Sequence, residues 1–284
     1  MKSMLHDSTE FATNSLAVIT VVYQNYSILE DFFESLRKQN NKNFRLFISD
    51  LSDDKKEIKT GLPSTTINSG NNGYAHGVNL GLKKALEQNF KYFCVINNDI
   101  LLDKEFIHNA INSITRNPSS VIGGKIYYAP GYEYHKNSYK KNAIGKVIWY
   151  AGGKVDWNHA LTPHRGVDEL DTGKYDMFEE TDFVNGCLMC FDKKVADQVG
   201  LWDEKYFMYF EDSDYCQRAK KKGVKLYYDP SIVIWHKNAQ STGGSGSKLH
   251  QEFQEKSRLR FALKYAPIKT KIHVLINYIL AKSK

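Results

Sequence analysis

No run of apolar residues in this chain approaches the roughly twenty needed to span a bilayer, and the first fourteen residues are polar, without the apolar core of a secretion signal. The expectation is a cytoplasmic protein. Cysteine is scarce, at four in 284 residues. Cys187 and Cys190 have the spacing of half a zinc site, but no second pair completes four ligands. Buried free thiols are the expectation. Internal repeats are missing, and low complexity is confined to Gln240–Ser247, which by composition is a flexible loop. A glycine-rich phosphate loop with a basic residue is also missing after the first apolar run, where Tyr23-Gln24-Asn25-Tyr26 stands instead. That argues against a sugar nucleotidyltransferase.

What is present is ordinary for a globular protein: 42% hydrophobic and 25% charged residues, enough for one sizeable core. The net charge is +7. The basic residues gather at Lys220-Lys221-Lys222 and between Lys256 and Lys284, with no nucleic-acid-binding motif. No nucleic-acid partner is expected; phosphate-bearing substrates or an anionic membrane surface account for the charge.

The first half alternates strand and helix patterns. Leu16–Val22 is a short, β-branched apolar run and reads as a buried strand. Ser27–Gln39 carries Ile28, Leu29, Phe32, Phe33 and Leu36 at helical spacing, with Ser27 as cap. Phe44–Ser49, Thr65–Asn68 and Tyr92–Ile96 read as strands, and Tyr74–Gln88 as a helix. Such alternation implies a parallel sheet with ligands at its carboxyl end. Tyr23, Asn25, Asp50, Asn72, Gly73 and Asn97-Asn98-Asp99 all fall there. Further on, Lys125–Arg165 is an irregular excursion. Phe183–Phe191 is a strand, Lys193–Val199 a helix closed by Gly200, and Asp212–Lys222 a helix closed by Gly223. Val224–Tyr228 and Ile232–Trp235 are short strands. Lys248–Lys264 and Ile268–Lys282 are helices divided by Pro267.

These stretches carry a resemblance. Val21-Val22-Tyr23-Gln24-Asn25, Asn72 to Gly81, Asn97-Asn98-Asp99, Asn185-Gly186 and Gly200 to Glu204 come in order before Phe210 to Ala219. Together they are similar to inverting nucleotide-sugar glycosyltransferases of family 2, over about residues 15 to 265. The resemblance implies a GT-A fold, a Rossmann-like mixed sheet flanked by helices, here followed by C-terminal helices. It divides the chain into an N-terminal tail (1–14), a catalytic domain (15–265) and a basic amphipathic C-terminal helix (266–284). The activity implied is transfer of a sugar from a nucleoside diphosphate sugar to a hydroxyl of a glycan or lipid-linked glycan, as in cell-surface polysaccharide synthesis. The remaining rival is a non-catalytic glycan- or membrane-binding module, which would not need Asp99 and Asp212 together.

The same resemblance assigns roles. Asp99 occupies the metal-binding place of an Asp-x-Asp turn whose first acid is here Asn97, and His236, after an apolar strand and Trp235, is a second ligand. The ion is Mn²⁺ or Mg²⁺, and an imidazole ligand suits Mn²⁺. Asp212 is the general base, with Glu211 orienting the acceptor. Tyr23, Asn25, Asp50, Asn72, Gly73, Asn97 and Asn98 bind the donor, Asp50 at the pyrimidine base. Trp202 and Asp203 face the acceptor. The Asn97-Asn98-Asp99 variant leans toward rhamnosyltransferase-like relatives and a dTDP-rhamnose donor, with a UDP-sugar as the alternative. Two expectations concern mobile or peripheral parts: the loop around Gly243 as a lid, and Ile268–Lys284 as a peripheral contact with the inner face of the cell membrane.

Overall fold

A computed structural model of the chain describes residues 15–237 and 248–282. The tail 1–14 and the glycine–serine loop expected to act as a lid lie outside the described residues.

The first strands and helices follow the sequence pattern. They are β1 (Leu16–Val22), α1 (Leu29–Arg37), β2 (Phe44–Asp50), β3 (Ser64–Asn68), α2 (Tyr74–Glu87) and β4 (Tyr92–Ile96). Then come β5 (Ile100–Leu102), α3 (Phe106–Arg116), β6 (Ser120–Tyr128), β7 (Ile148–Tyr150) and β8 (Glu179–Glu180). The chain continues through β9 (Leu188–Asp192), α4 (Lys193–Val199), α5 (Glu211–Lys221) and β10 (Lys225–His236) to α6 (Lys248–Tyr265) and α7 (Ile268–Lys282). Main strand order is β3-β2-β1-β4-β9-β6-β10-β5. The first four pair in parallel, but β9 enters antiparallel between β4 and β6, so the sheet is mixed.

Local departures from the expected pattern have physical causes. Ser27 does not cap α1: a 3₁₀ turn at Tyr26–Ile28 precedes the helix, and the Ser27 hydroxyl donates to Asn25 Oδ1 (2.9 Å). The strand expected from Phe183 begins only at Leu188, because Asn185 Oδ1 takes the Cys187 N–H in a tight turn (2.7 Å). Two expected short strands are one, β10, whose pairing with β6 slips between Asp229 and Val233. Pro230 lies in that slip and has no N–H for the ladder. The pattern reading singled out none of β5, α3 or β6.

The main core lies on both faces of the sheet. On β1 every residue but Val21 is buried. α2 lies so close over it that a Cβ on Gly77 would stand 2.6 Å from Val21 Cγ1. All four cysteines are buried free thiols, as expected. A second, smaller core joins Ala160, Tyr206 and Phe210 to Phe261, Ala262 and Val274 of the last two helices and to Ala266 between them. Both α6 and α7 therefore pack against the rest of the fold rather than trailing from it.

Candidate active site

The carboxyl ends of β1, β2 and β4 supply one wall. Asn97-Asn98-Asp99 forms the turn from β4 into β5. Asn98 donates through Nδ2 to the Val21 carbonyl (2.7 Å) and ties the ends of two strands together. Asp50 is buried; Oδ2 accepts from Tyr26 (2.7 Å) and Oδ1 from the Ser52 N–H (3.0 Å). It meets its own chain, not open solvent. Tyr23 and Asn72 are exposed, and Asn25 and Asn97 half-buried.

Gly73, expected at the donor, lies close against its own chain. Its φ is 99°, and an added Cβ would meet the Phe207 carbonyl oxygen at 2.5 Å. The chain that needs the glycine's bareness is its own Phe207 segment. The next N–H, of Tyr74, bonds that same carbonyl (2.8 Å).

The antiparallel pairing of β5 with β10 sets Ile100 opposite His236, so Asp99 comes alongside. His236 Nε2 lies 3.2 Å from Asp99 Oδ1, with both side chains buried. His236 Nδ1 is buried without a hydrogen-bond partner. The Trp149 ring sits edge-on to both His236 and His164, 4.5 Å from each. His164 Nδ1 donates to the Trp149 carbonyl (3.1 Å), leaving Nε2 to accept from Asn185 (3.0 Å). That arrangement is the neutral tautomer, and burial pushes its pKa down to about 4.

The opposite wall is the first turn of α5. Tyr209 and Phe210, just before it, both have left-handed backbone, φ 67° and 65°. For bulky residues this costs about 1–2 kcal/mol each. The turn they force aims Glu211 and Asp212 inward. Asp212 Oδ2 accepts the Gly186 N–H (2.8 Å), and Oδ1 the Ser213 N–H (2.6 Å). Glu211 is buried and its Oε2 has no partner. Burial and the neighbouring Asp212 hold the Glu211 carboxyl well above the usual range. Burial raises Asp212 too, against the pull of the N–H groups it accepts. The donors therefore favour charge on Asp212 and a proton on Glu211. Asp214, on the same turn, belongs elsewhere: fully buried, it binds Arg218 (2.8 Å), Lys264 (2.5 Å) and Tyr265 (2.7 Å).

Tyr74 links the two walls. Its hydroxyl reaches Asn97 Oδ1 (3.1 Å) and the Gly186 carbonyl (3.2 Å). Burial first, then the charges of Glu211, Asp212 and Asp99, raise its pKa far above the ordinary value. It is a fixed neutral donor amid three carboxyls. The pattern reading took Tyr74 only as a helix start, and nothing in the sequence marks His164 or Trp149.

One expectation fails. Trp202 is 2% exposed, stacked on Tyr215 and edge-on to Tyr74, so no face is left for a sugar. Asp203 beside it is partly open and pairs with Lys264 (3.2 Å). Glu204 is a strut to α2, bound by Asn79 (2.8 Å) and His76 (2.9 Å).

The mixed sheet flanked by helices has the GT-A type of architecture. Residues 17–198 match the model of Glycosyl transferase family 2, well over half of the chain, which belongs to that family. It is 23% identical over 158 residues to the low-salt glycan biosynthesis hexosyltransferase Agl10 of Haloferax volcanii, covering 55% of this chain and 46% of that one. It is 21% identical over 168 residues to the dTDP-rhamnosyl transferase RfbF of Shigella flexneri, covering 58% and 49%. The chain spans about half the length of these relatives. Among solved structures, GalNAc-T7 with UDP, GalNAc and Mn²⁺ superposes with a TM-score of 0.63 at 14% identity, covering 82% of this chain and 44% of that one. At that identity the likeness speaks for the fold.

Proposed function

We propose that the chain transfers a sugar from a nucleoside diphosphate donor to a hydroxyl of a glycan or lipid-linked glycan, with inversion. The observation that carries this reading is the gathering of the Asp99–His236 pair and Asp212 around Tyr74.

A buried carboxylate oxygen and an imidazole nitrogen 3.2 Å apart are a donor set that fits a divalent ion. Among the described residues no group of three His, Cys, Asp or Glu gathers, so substrate oxygens and water would complete the shell. Asp99 and His236 would hold the ion, Mn²⁺ before Mg²⁺, and it would offset charge on the departing diphosphate. Asp212 takes the acceptor proton on Oδ2, where one lone pair remains beside the Gly186 N–H. Glu211, protonated, orients the acceptor without repelling it. Tyr23, Asn25, Asn72 and Asn97 meet the donor directly. Asp50 acts beside Tyr26, while Asn98 and Gly73 shape the wall. Asp203 lies on the acceptor side.

The names of the relatives and the Asn97 variant put dTDP-rhamnose first among donors, with UDP-sugars next. A panel of nucleotide sugars tested for thermal stabilisation of the protein decides the point. One donor should raise the melting temperature by a few degrees with Mn²⁺, and Asp99→Ala should abolish that gain. Equal stabilisation in excess chelator would remove the ion from the reading, and no stabilisation by any donor would sink it.

A further inference from the structure

The side of α7 turned away from the fold is apolar. Ile268, Ile272, Leu275, Ile276, Ile279 and Leu280 are each 39–69% exposed. At about 100° per residue they form one continuous stripe along the helix. The opposite side is the packed one: Val274 is buried in the small core, and Thr270 donates to the Trp157 carbonyl (2.8 Å). The helix contains no Asp or Glu. On a helical projection Lys269 falls at one border of the stripe and Lys271 at the other, with His273 beyond Lys269.

We propose that this face is a docking surface for an anionic lipid bilayer, lying in the plane of the interface. Length decides against spanning: fifteen residues make about 22 Å of helix, short of the roughly 30 Å hydrocarbon core. Among the described residues no helix is long and apolar enough to cross. Charge decides against a second copy of the chain. A self-pairing of this face would bring lysines toward lysines, and α7 has no carboxylate to receive them. Lipid phosphates receive them well, while the isoleucines and leucines enter the acyl boundary.

The docking has a consequence for the site without depending on it. The last turn of α6, two residues before α7 begins, carries Lys264 and Tyr265, which grip Asp214, two residues beyond Asp212. A bilayer under α7 is thus two residues from the helix end that holds the turn of Asp212 and Asp214.

The test is co-sedimentation of the full chain with vesicles of phosphatidylcholine alone or with phosphatidylglycerol added, at low and high salt. Binding should require the anionic lipid and weaken with salt. The triple substitution Ile272→Glu, Ile276→Glu and Ile279→Glu, all at exposed positions, should weaken binding about tenfold or more, with unchanged circular dichroism and melting temperature. Lys269→Ala and Lys271→Ala should each weaken it about fivefold. Equal binding to neutral vesicles, or undiminished binding by the triple variant, overturns the proposal. So does a full-length dimer that ignores vesicles and becomes monomeric in the triple variant, which would make the face a self-interface.

Discussion

The two walls differ in how the side chains singled out for the site are bound. At the ends of β1, β2 and β4, Asp50 and Asn98 are already bound by Tyr26, Ser52 and Val21 of the same chain. At the first turn of α5 and the far end of β10, Glu211 Oε2 and His236 Nδ1 are buried with no partner, and two aromatic residues before α5 hold left-handed backbone. An unmet buried polar group costs about 1–3 kcal/mol. In the first wall Asp50 and Asn98 are met by the chain itself, although Thr20 Oγ1 in β1 and Ser49 Oγ in β2 are buried without a hydrogen-bond partner. The second keeps polar demand that substrate or ion can meet, and stability given up there is what a reacting site requires.

The largest test of that contrast lies within one turn of helix. If Asp212 is the proposed base, Asp212→Asn should cut turnover by about a hundredfold or more, roughly 3 kcal/mol, with donor stabilisation kept, because the amide cannot take the proton while the fold is kept. Asp214→Asn should do the reverse. It leaves Arg218 and Lys264 short of a buried partner, and breaking such a set destabilises by about 3 kcal/mol, while folded molecules still turn over. Steady-state kinetics and thermal melts on both variants separate the roles. If both lose activity in proportion to folded fraction, the turn is structural throughout.

The next effect is on stability and pH. His164 has a folded pKa lowered to about 4 from 6.5. Between those values the unfolded chain binds more protons, so stability rises with pH across this window and is lost on acidification. The amount is on the order of 3 kcal/mol. Glu211 and Asp212 have raised values and act in the opposite sense, losing stability as pH rises above the usual carboxylate range. The comparison must therefore be between variants. Melting temperatures of wild type and His164→Gln should diverge between pH 4 and 6.5, wild type having the steeper slope. Parallel slopes would show that the imidazole charges freely beside Trp149.

How much of this was legible follows the same division. Strands β1, β2 and β4 were plain because each is a short, mostly apolar run ending in a polar turn, and their ends named Asp50, Asn98 and Asp99, while the edge strand β3, Ser-Thr-Thr-Ile-Asn, showed mainly through its β-branched residues. Antiparallel β9 was less plain, since a strand buried on both faces shows no direction in its own sequence. Trp202 was misjudged because an aromatic beside acids looks the same whether it lines a cleft or a core. His164 left no signal, as its place comes from the irregular excursion before β8, where side chains rather than periodicity set the path. The acids of α5 were legible as a set. Which one faces the cleft was fixed by Gly186 and Lys264, both distant in sequence.

The smallest effect concerns the residue that joins the walls. Tyr74 offers one proton to Asn97 Oδ1 and the Gly186 carbonyl, and it stays neutral because burial and three carboxyls oppose its ionisation. It therefore cannot serve as a base, and its part is to hold the turn bearing Asn97 against the loop that presents the Gly186 N–H to Asp212. Tyr74→Phe keeps the ring that meets Trp202 edge-on at 6.2 Å and removes only the hydroxyl. Losing that hydrogen bond is worth about 1 kcal/mol, so turnover should fall about fivefold if the bond aligns base and donor. The melting temperature should move by only a few degrees, and KM for the donor should change less than kcat. A variant with unchanged kcat and a lower melting temperature would instead make the hydroxyl a packing bond, and the walls would be held in register by the strands alone.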